Sequence, residues 1–503
     1  MRVGLVTFDF PPQYKRADLA VKATAVGSAL AAALASGGAE VVAPAERLAA
    51  VDGGASGGIR DGKDLAFCVD LLRARRVQAI VIEAFHWARL SLVAQLVNEM
   101  DLPVAVYAVT DGGWNGVPCA TAICGSLREM PRTRNAALVE AFLGPDVDGL
   151  LRWARGASAL VRMRSSRVML WGGGYGAEMP YSRGDPASVE ALFFAEVMTE
   201  QEEVLERRAD LIIEKRHDRI DGFMAWLAAN GAAVARDGRM VTDASLDFQA
   251  ALYLAARDRL EELGREGPPG AAVIAGATVK CHYEMSIGCR GCTACFLPAF
   301  LPFPSDSEGK RDIVPLACEG DLCGIVSLVM LHQLQPEVPP LFGDLVAYKK
   351  VHVLLRNCGA SSVHWAGLSN DPAVSLSRLG LAANLHGASG AALGYETPAC
   401  AEVTFARLFR QEGRFAMLLG EGEVLAQRDD SRYNDPWPHT RLSLGVDPAL
   451  LFKAIPCNHG SLTAGSLGLE IETLCAHAGI PVFRCDDEAG LKELIHSRGG
   501  RFQ

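Results

Sequence analysis

The run VQAIVIEAF, residues 77–85, sets the fold class. Its apolar, mostly β-branched side chains follow one another without the polar alternation of a half-exposed strand; only Gln78 and Glu83 are polar. A strand of that kind is buried on both faces, as in a parallel sheet covered by helices on each side. The stretches around it repeat the signal. VGLVTFDF (3–10), AEVVAP (39–44) and LPVAVYAV (102–109) are short apolar runs, and helical patterns lie between them at 17–34, 65–75 and 91–100. Residues 1–155 therefore read as an α/β domain of strand–helix–strand units. No GxGxxG follows the first strand, so a dinucleotide site is not supported. Sheets of this type bind ligands beyond the carboxyl ends of their strands. The sequence places Asp9 with Lys15 and Arg16 there, then Glu83, His86 and Trp87, then Asp111 with Trp114.

A second α/β domain is expected over 156–336. RVMLWGGGYG (167–176) is a strand entering a glycine turn, Ser245–Leu263 is an amphipathic helix, and AAVIAGATVK (271–280) is a buried strand. Past a boundary at 335–340 the character changes. KKVHVLLRNCG, AEVTFARLFR, RFAMLLGEGEVLAQ and HTRLSLGV are strand-like runs with polar alternation, so 337–503 reads as a β-rich domain, closed by a helix at 467–478 and the strand IPVFRC. The expected architecture is α/β: two parallel-sheet α/β domains followed by a β-rich C-terminal domain. A chain of 503 residues exceeds what one core supports, and about two to four domains are expected.

Composition removes several function classes. With 59 acidic against 49 basic residues and no basic run, neither nucleic acid nor an anionic membrane is the expected partner. Charged residues break every apolar stretch before ~18 residues, so no membrane span is expected. The N-terminus MRVGLVTFDF lacks a secretory h-region. Fourteen scattered cysteines then read as reduced thiols of a cytoplasmic protein.

Chemistry is expected in residues 318–344, CEGDLCGIVSLVMLHQLQPEVPPLFGD. Glu319 and Asp344 bracket the acid-free apolar run 322–334. As a helix that run is roughly 20 Å long, and residues 335–343 reach roughly 30 Å when extended, enough to return Asp344 to Glu319. His459 lies in a small-residue loop, CNHGSLTAG (457–465). Two carboxylates and an imidazole suit a divalent metal such as manganese, which polarises a carbonyl and binds adjacent substrate oxygens. A second set is Cys289, Cys292 and Cys295 in GCRGCTAC, with Cys281 upstream. This CxxCxxC core resembles part of an iron–sulfur run without its proline-adjacent fourth cysteine; Cys281, Cys318 or Cys323 could complete an iron–sulfur or zinc site. Trp87 at a strand end reads either as packing or as a platform for a sugar face.

ACEGDLCGIVSLVMLHQL (317–334) followed by LFGDLVAY (341–348) resembles the metal-carboxylate region of the L-fucose isomerase and L-arabinose isomerase superfamily. NHGSLTAGSLGLEIETLCAHAGIPVFR (458–484) is similar to that family's C-terminal motif, and the two occur in family order. The resemblance implies that Glu319, Asp344 and His459 bind Mn2+, or another divalent metal, and that Asn458 contacts substrate hydroxyls. Trp87 and Arg16 match substrate-contacting positions. The implied reaction is aldose–ketose isomerisation of a free sugar through a cis-enediol, with Glu319 and Asp344 moving the proton. The implied assembly is a homo-oligomer, a hexamer in the family. L-Fucose, D-arabinose and a 6-modified hexose (6-deoxy or 6-sulfo) are the substrates it leaves open. Two features depart from the family pattern: the cysteine-rich stretch 281–295 and a short 345–457 region. A redox protein built on the cysteines and a non-catalytic sugar-binding relative are the alternative readings.

Overall fold

The computed structural model describes residues 1–9, 17–51, 58–110, 116–129, 131–173, 179, 184–266, 273–384, 387–426 and 437–498. The chain is α/β and divides into two compact units, Met1–Arg162 with Leu469–Gly479, and Met163–Gly468 with Ile480–Gln503.

The first unit is built on a five-stranded parallel sheet. Its strands lie in the order Glu40–Val42, Arg2–Thr7, Ala79–Ala84, Val104–Ala108, Glu140–Leu143. The alternation of side chains along a strand explains the continuous apolar run. Ile80, Ile82 and Ala84 enter one core, with Leu65, Val69 and Leu72 of the helix Gly62–Ala74 and Leu96 of Leu90–Met100. Ala79 and Val81 enter the opposite core, with Leu30 and Leu34 of Ala17–Ser36 and Trp153 of Val147–Arg164. Each fully buried Ile or Val there contributes on the order of 1.5–3 kcal/mol, so both faces of the strand must be apolar.

The segment Leu469–Gly479 belongs to this unit, although the sequence groups it with the β-rich part. Glu470, almost fully buried, receives Arg152 Nη2 at 3.0 Å and Nε at 3.2 Å. His477 Nδ1 meets Asn135 Oδ1 at 3.0 Å. These polar ties recur at helical spacing and were not apparent from hydrophobic pattern.

The second unit holds a four-stranded parallel sheet, in the order Leu316–Ala317, Ile274–Val279, Arg167–Trp171, Glu196–Glu200. It also holds a ten-stranded mixed sheet. Six strands of the latter pair antiparallel in a ring: Arg414–Val424, Cys400–Gln411, His459–Ala464, Leu341–Tyr348, Val353–Arg356 and Pro438–Ser443. Glu423 and Val424 pair with Ser443 and Leu442 and close it into a barrel, which leaves those strands no free edges. Residues 163–336, from the expected second α/β domain, and 337–468, from the expected β-rich domain, both lie in this unit. Ala233–Val234 pairs with Gly380–Leu381 at the far end of the large sheet, and one hydrophobic cluster runs from Met169 to Leu494.

The helix Leu322–Leu334 shows why its stretch carries no acid. It packs against the parallel strand Ile274–Val279 on one side and the barrel strands Cys400–Gln411 and His459–Ala464 on the other. A helix covered all round is apolar all round. Gly276 permits the close approach: a Cβ there would stand 2.7 Å from Ile325 Cδ1. Among the described residues, no helix is long and apolar enough to cross a membrane.

Candidate functional site

Two backbone features bring the site together. The antiparallel register of Leu341–Tyr348 with His459–Ala464 sets Asp344 directly opposite His459, and opposed residues share one face. His459 therefore begins a strand; the loop expected at 457–465 gives way to barrel pairing. Glu319 arrives from the turn that follows Leu316–Ala317. Its φ of 62° is left-handed and Gly320 continues it at 66°. A non-glycine residue held there costs roughly 1–2 kcal/mol, and strain of this kind concentrates at functional sites.

The side chains converge. His459 Nε2 is 3.3 Å from Glu319 Oε2 and 3.3 Å from Asp344 Oδ1. Asn458 Nδ2 donates to Asp344 Oδ1, and the Cys358 thiol donates to Glu319 Oε1 at 3.6 Å. Of the sequence candidates, then, Glu319, Asp344, His459 and Asn458 lie at one place. Trp87 belongs to the first unit, 40% exposed just past the end of Ala79–Ala84. Arg16 lies outside the described residues.

Two partners were missed from the sequence. Asp321 Oδ2 meets His459 Nδ1 at 2.7 Å, and Arg407 Nη2 donates to Asp321 Oδ1 at 3.2 Å while Nη1 donates to Oδ2 at 2.5 Å. Asp321 is 0% exposed, Arg407 1% and His459 1% by side chain. Asp321 had a signal: an Asp just before an apolar helix is an N-cap, and its Oδ1 accepts from Gly324 N at 2.8 Å. Arg407 had only the oddity of a lone cation in the apolar run 403–409.

The electrostatics follow from these contacts. Burial pushes the Asp321 carboxyl up, but the Arg407 charge and the His459 hydrogen bond overcome it and hold it down to about 2. Burial likewise raises Glu319, and the hydrogen bond and charge of His459 bring it below the usual carboxylate range. Burial lowers His459, and hydrogen bonds that its ring donates to Asp321, Asp344 and Glu319 carry it well above an ordinary imidazole. Three carboxylates against Arg407 and one imidazole leave a site that attracts a cation.

Among the described residues, no group of three or more His, Cys, Asp and Glu is closed around a common ion position. The spacing is nonetheless near what a divalent metal requires: adjacent donors stand 3.3 Å apart, against about 3.0 Å for an octahedral ion with bonds of about 2.1 Å. Hydrogen-bond contact sets the wider distance, and a few tenths of an ångström separate the two arrangements. The chemistry also matches, because a metal-binding imidazole commonly gives its other N–H to a carboxylate. The residues fit the metal. Beside them a groove of about 540 Å³ opens at Asn458, walled by Tyr348, Val353, Phe452 and Pro456, within the usual size of a small-molecule site.

The cysteines fall differently from their sequence grouping. Cys281 and Cys295 line a cavity of about 30 Å³ with Cys318 and Cys358. Cys292 is buried elsewhere, with its thiol toward Ser245 O at 3.7 Å, and the side chain of Cys289 lies outside the described residues. Burial pushes the Cys295 thiol up to about 12, so it is inert as a nucleophile near neutrality.

No protein-family model matches the chain, and no curated protein matches it.

Proposed function

We propose that this protein is a manganese-dependent aldose–ketose isomerase acting on a free sugar. The observation that carries the reading is the meeting of Glu319, Asp344 and His459 at one imidazole nitrogen, with the other nitrogen tied to Asp321. When bound, the metal would be held by those three side chains and would supply a Lewis acid for two adjacent substrate oxygens.

The chain's own residues account for the rest. Glu319 and Asp344 present carboxylate oxygens on either side of His459, so a proton leaving C2 has an acceptor close by and a return path to C1 through a cis-enediol. General-base help of this kind contributes typically 10²–10⁴-fold. Asn458 fixes Asp344 by donating to Oδ1 and keeps that oxygen oriented as an acceptor. The Cys358 thiol does the same for Glu319 Oε1. The apolar barrel wall and the helix Leu322–Leu334 keep water from Asp321 and His459. The apolar groove at Asn458 suits the carbon chain of a sugar such as L-fucose, D-arabinose or a 6-modified hexose. The test is turnover of an aldose panel with Mn2+, wild type beside Glu319→Gln. A loss of 10²-fold or more is expected; a variant as active as its parent refutes the role given to Glu319.

A further inference from the structure

One buried carboxylate ties three segments of the second unit. Asp321 Oδ1 caps the helix Leu322–Leu334 through Gly324 N. Arg407, from the strand Cys400–Gln411, takes both carboxylate oxygens. His459, from the neighbouring strand His459–Ala464, meets Oδ2 through Nδ1.

Stability does not account for this arrangement. A helix cap needs only an acceptor, which Ser or Asn supplies equally well. A buried guanidinium–carboxylate pair is no more stabilising than apolar residues of the same volume. Direction is what the pair does provide. The two imidazole nitrogens are distinct, and the hydrogen bond made by one decides the state of the other. A carboxylate held by an always-charged guanidinium can only accept a hydrogen bond. His459 must therefore offer Nδ1–H to Asp321, which leaves Nε2 as the nitrogen that faces Glu319 and Asp344 and that gives up its proton when a cation binds. The Phe342 ring, edge-on at 4.9 Å between centroids, limits tilting of the imidazole.

We infer that Asp321, locked by Arg407, is a positioning residue that fixes His459 in the tautomer whose Nε2 binds a divalent cation. This rests on reading the site as a metal site. In Asp321→Asn the amide can donate to Nδ1, which moves the imidazole proton to Nε2 and takes away the lone pair. Arg407→Lys keeps the charge but loses the two-pronged contact.

The test is titration of metal-free protein with Mn2+ alone, following the free-ion electron paramagnetic resonance signal, for wild type, Asp321→Asn and Arg407→Lys. Affinity is expected to fall about 10–100-fold in Asp321→Asn, as for other partners of metal-binding histidines, and by less in Arg407→Lys. Unchanged dissociation constants in both variants, with only the melting temperature lowered, overturn the inference. If Asp321→Asn does not fold, Arg407→Lys decides alone, a weaker Mn2+ affinity supporting the inference and a wild-type one overturning it. Wild-type protein that binds no Mn2+ overturns the proposed function itself, and does so before any substitution is made.

Discussion

Glu83 offers a quantitative check on the first unit. It sits near the end of the strand Ala79–Ala84, 4% exposed, where Oε2 accepts from Thr7 Oγ1 at 2.7 Å and Oε1 has no hydrogen-bond partner among the described residues. Burial raises its carboxyl to about 7, with the Thr7 hydrogen bond opposing. An unfolded Glu titrates near 4.3. Between those values the native state holds the extra proton, so stability falls as pH rises from about 4.3 to about 7, then levels off. The difference corresponds to roughly 3.5 kcal/mol lost across that window. Glu83→Gln stays neutral and removes the slope, so the excess of the variant over wild type should grow by about 2.5 kcal/mol between pH 5 and pH 8. Hydrogen exchange read by mass spectrometry on Arg2–Thr7 and Ala79–Ala84, corrected for intrinsic rates, isolates this unit from the other. A wild-type opening free energy that is flat or rises between pH 5 and 8 would mean that Glu83 is not held protonated by burial.

Gly276→Val should destabilise the second unit by about 1–3 kcal/mol in denaturant unfolding, because the new side chain overlaps Ile325 and Val329 where helix and sheet meet. A neutral result would mean that the helix packs less closely than described. Gly156→Ala puts a Cβ 2.2 Å from the Glu470 carbonyl oxygen, so faster proteolysis within Leu469–Gly479 is expected; an unchanged cleavage pattern argues against that docking. Arg152→Ala leaves buried Glu470 with Arg155 at 4.0 Å, and should cost about 3–5 kcal/mol in the first unit's thermal unfolding, where a loss under 1 kcal/mol contradicts it.

Much of this was legible in the sequence for identifiable reasons. Ile80, Val81 and Ile82 must satisfy two cores at once, and that demand shows as an unbroken apolar run. The helix Leu322–Leu334 is readable because burial on every side forbids charge along it. Glu319, Asp344 and His459 stood out as polar residues bounding apolar elements. Barrel closure was not legible, since Val424 meets Leu442 through registers that no local pattern fixes. Nor was the place of Cys358 beside Cys281, Cys295 and Cys318, although Cys318 was among the cysteines expected near that set. Asp321 escaped notice because one carboxylate serves as cap, ion-pair partner and histidine anchor, and sequence displays only the first.

Glu319, Asp344 and His459 are proposed to form a metal-dependent isomerisation site. The direct measurement is conversion of free aldoses, L-fucose, D-arabinose and a 6-deoxy-6-sulfo hexose among them, followed by NMR with chelator-treated protein before and after Mn2+ is restored. A ketose product that the chelator abolishes and Mn2+ returns is expected. Turnover that persists unchanged without metal, or none on any aldose by Mn2+-loaded protein, contradicts it.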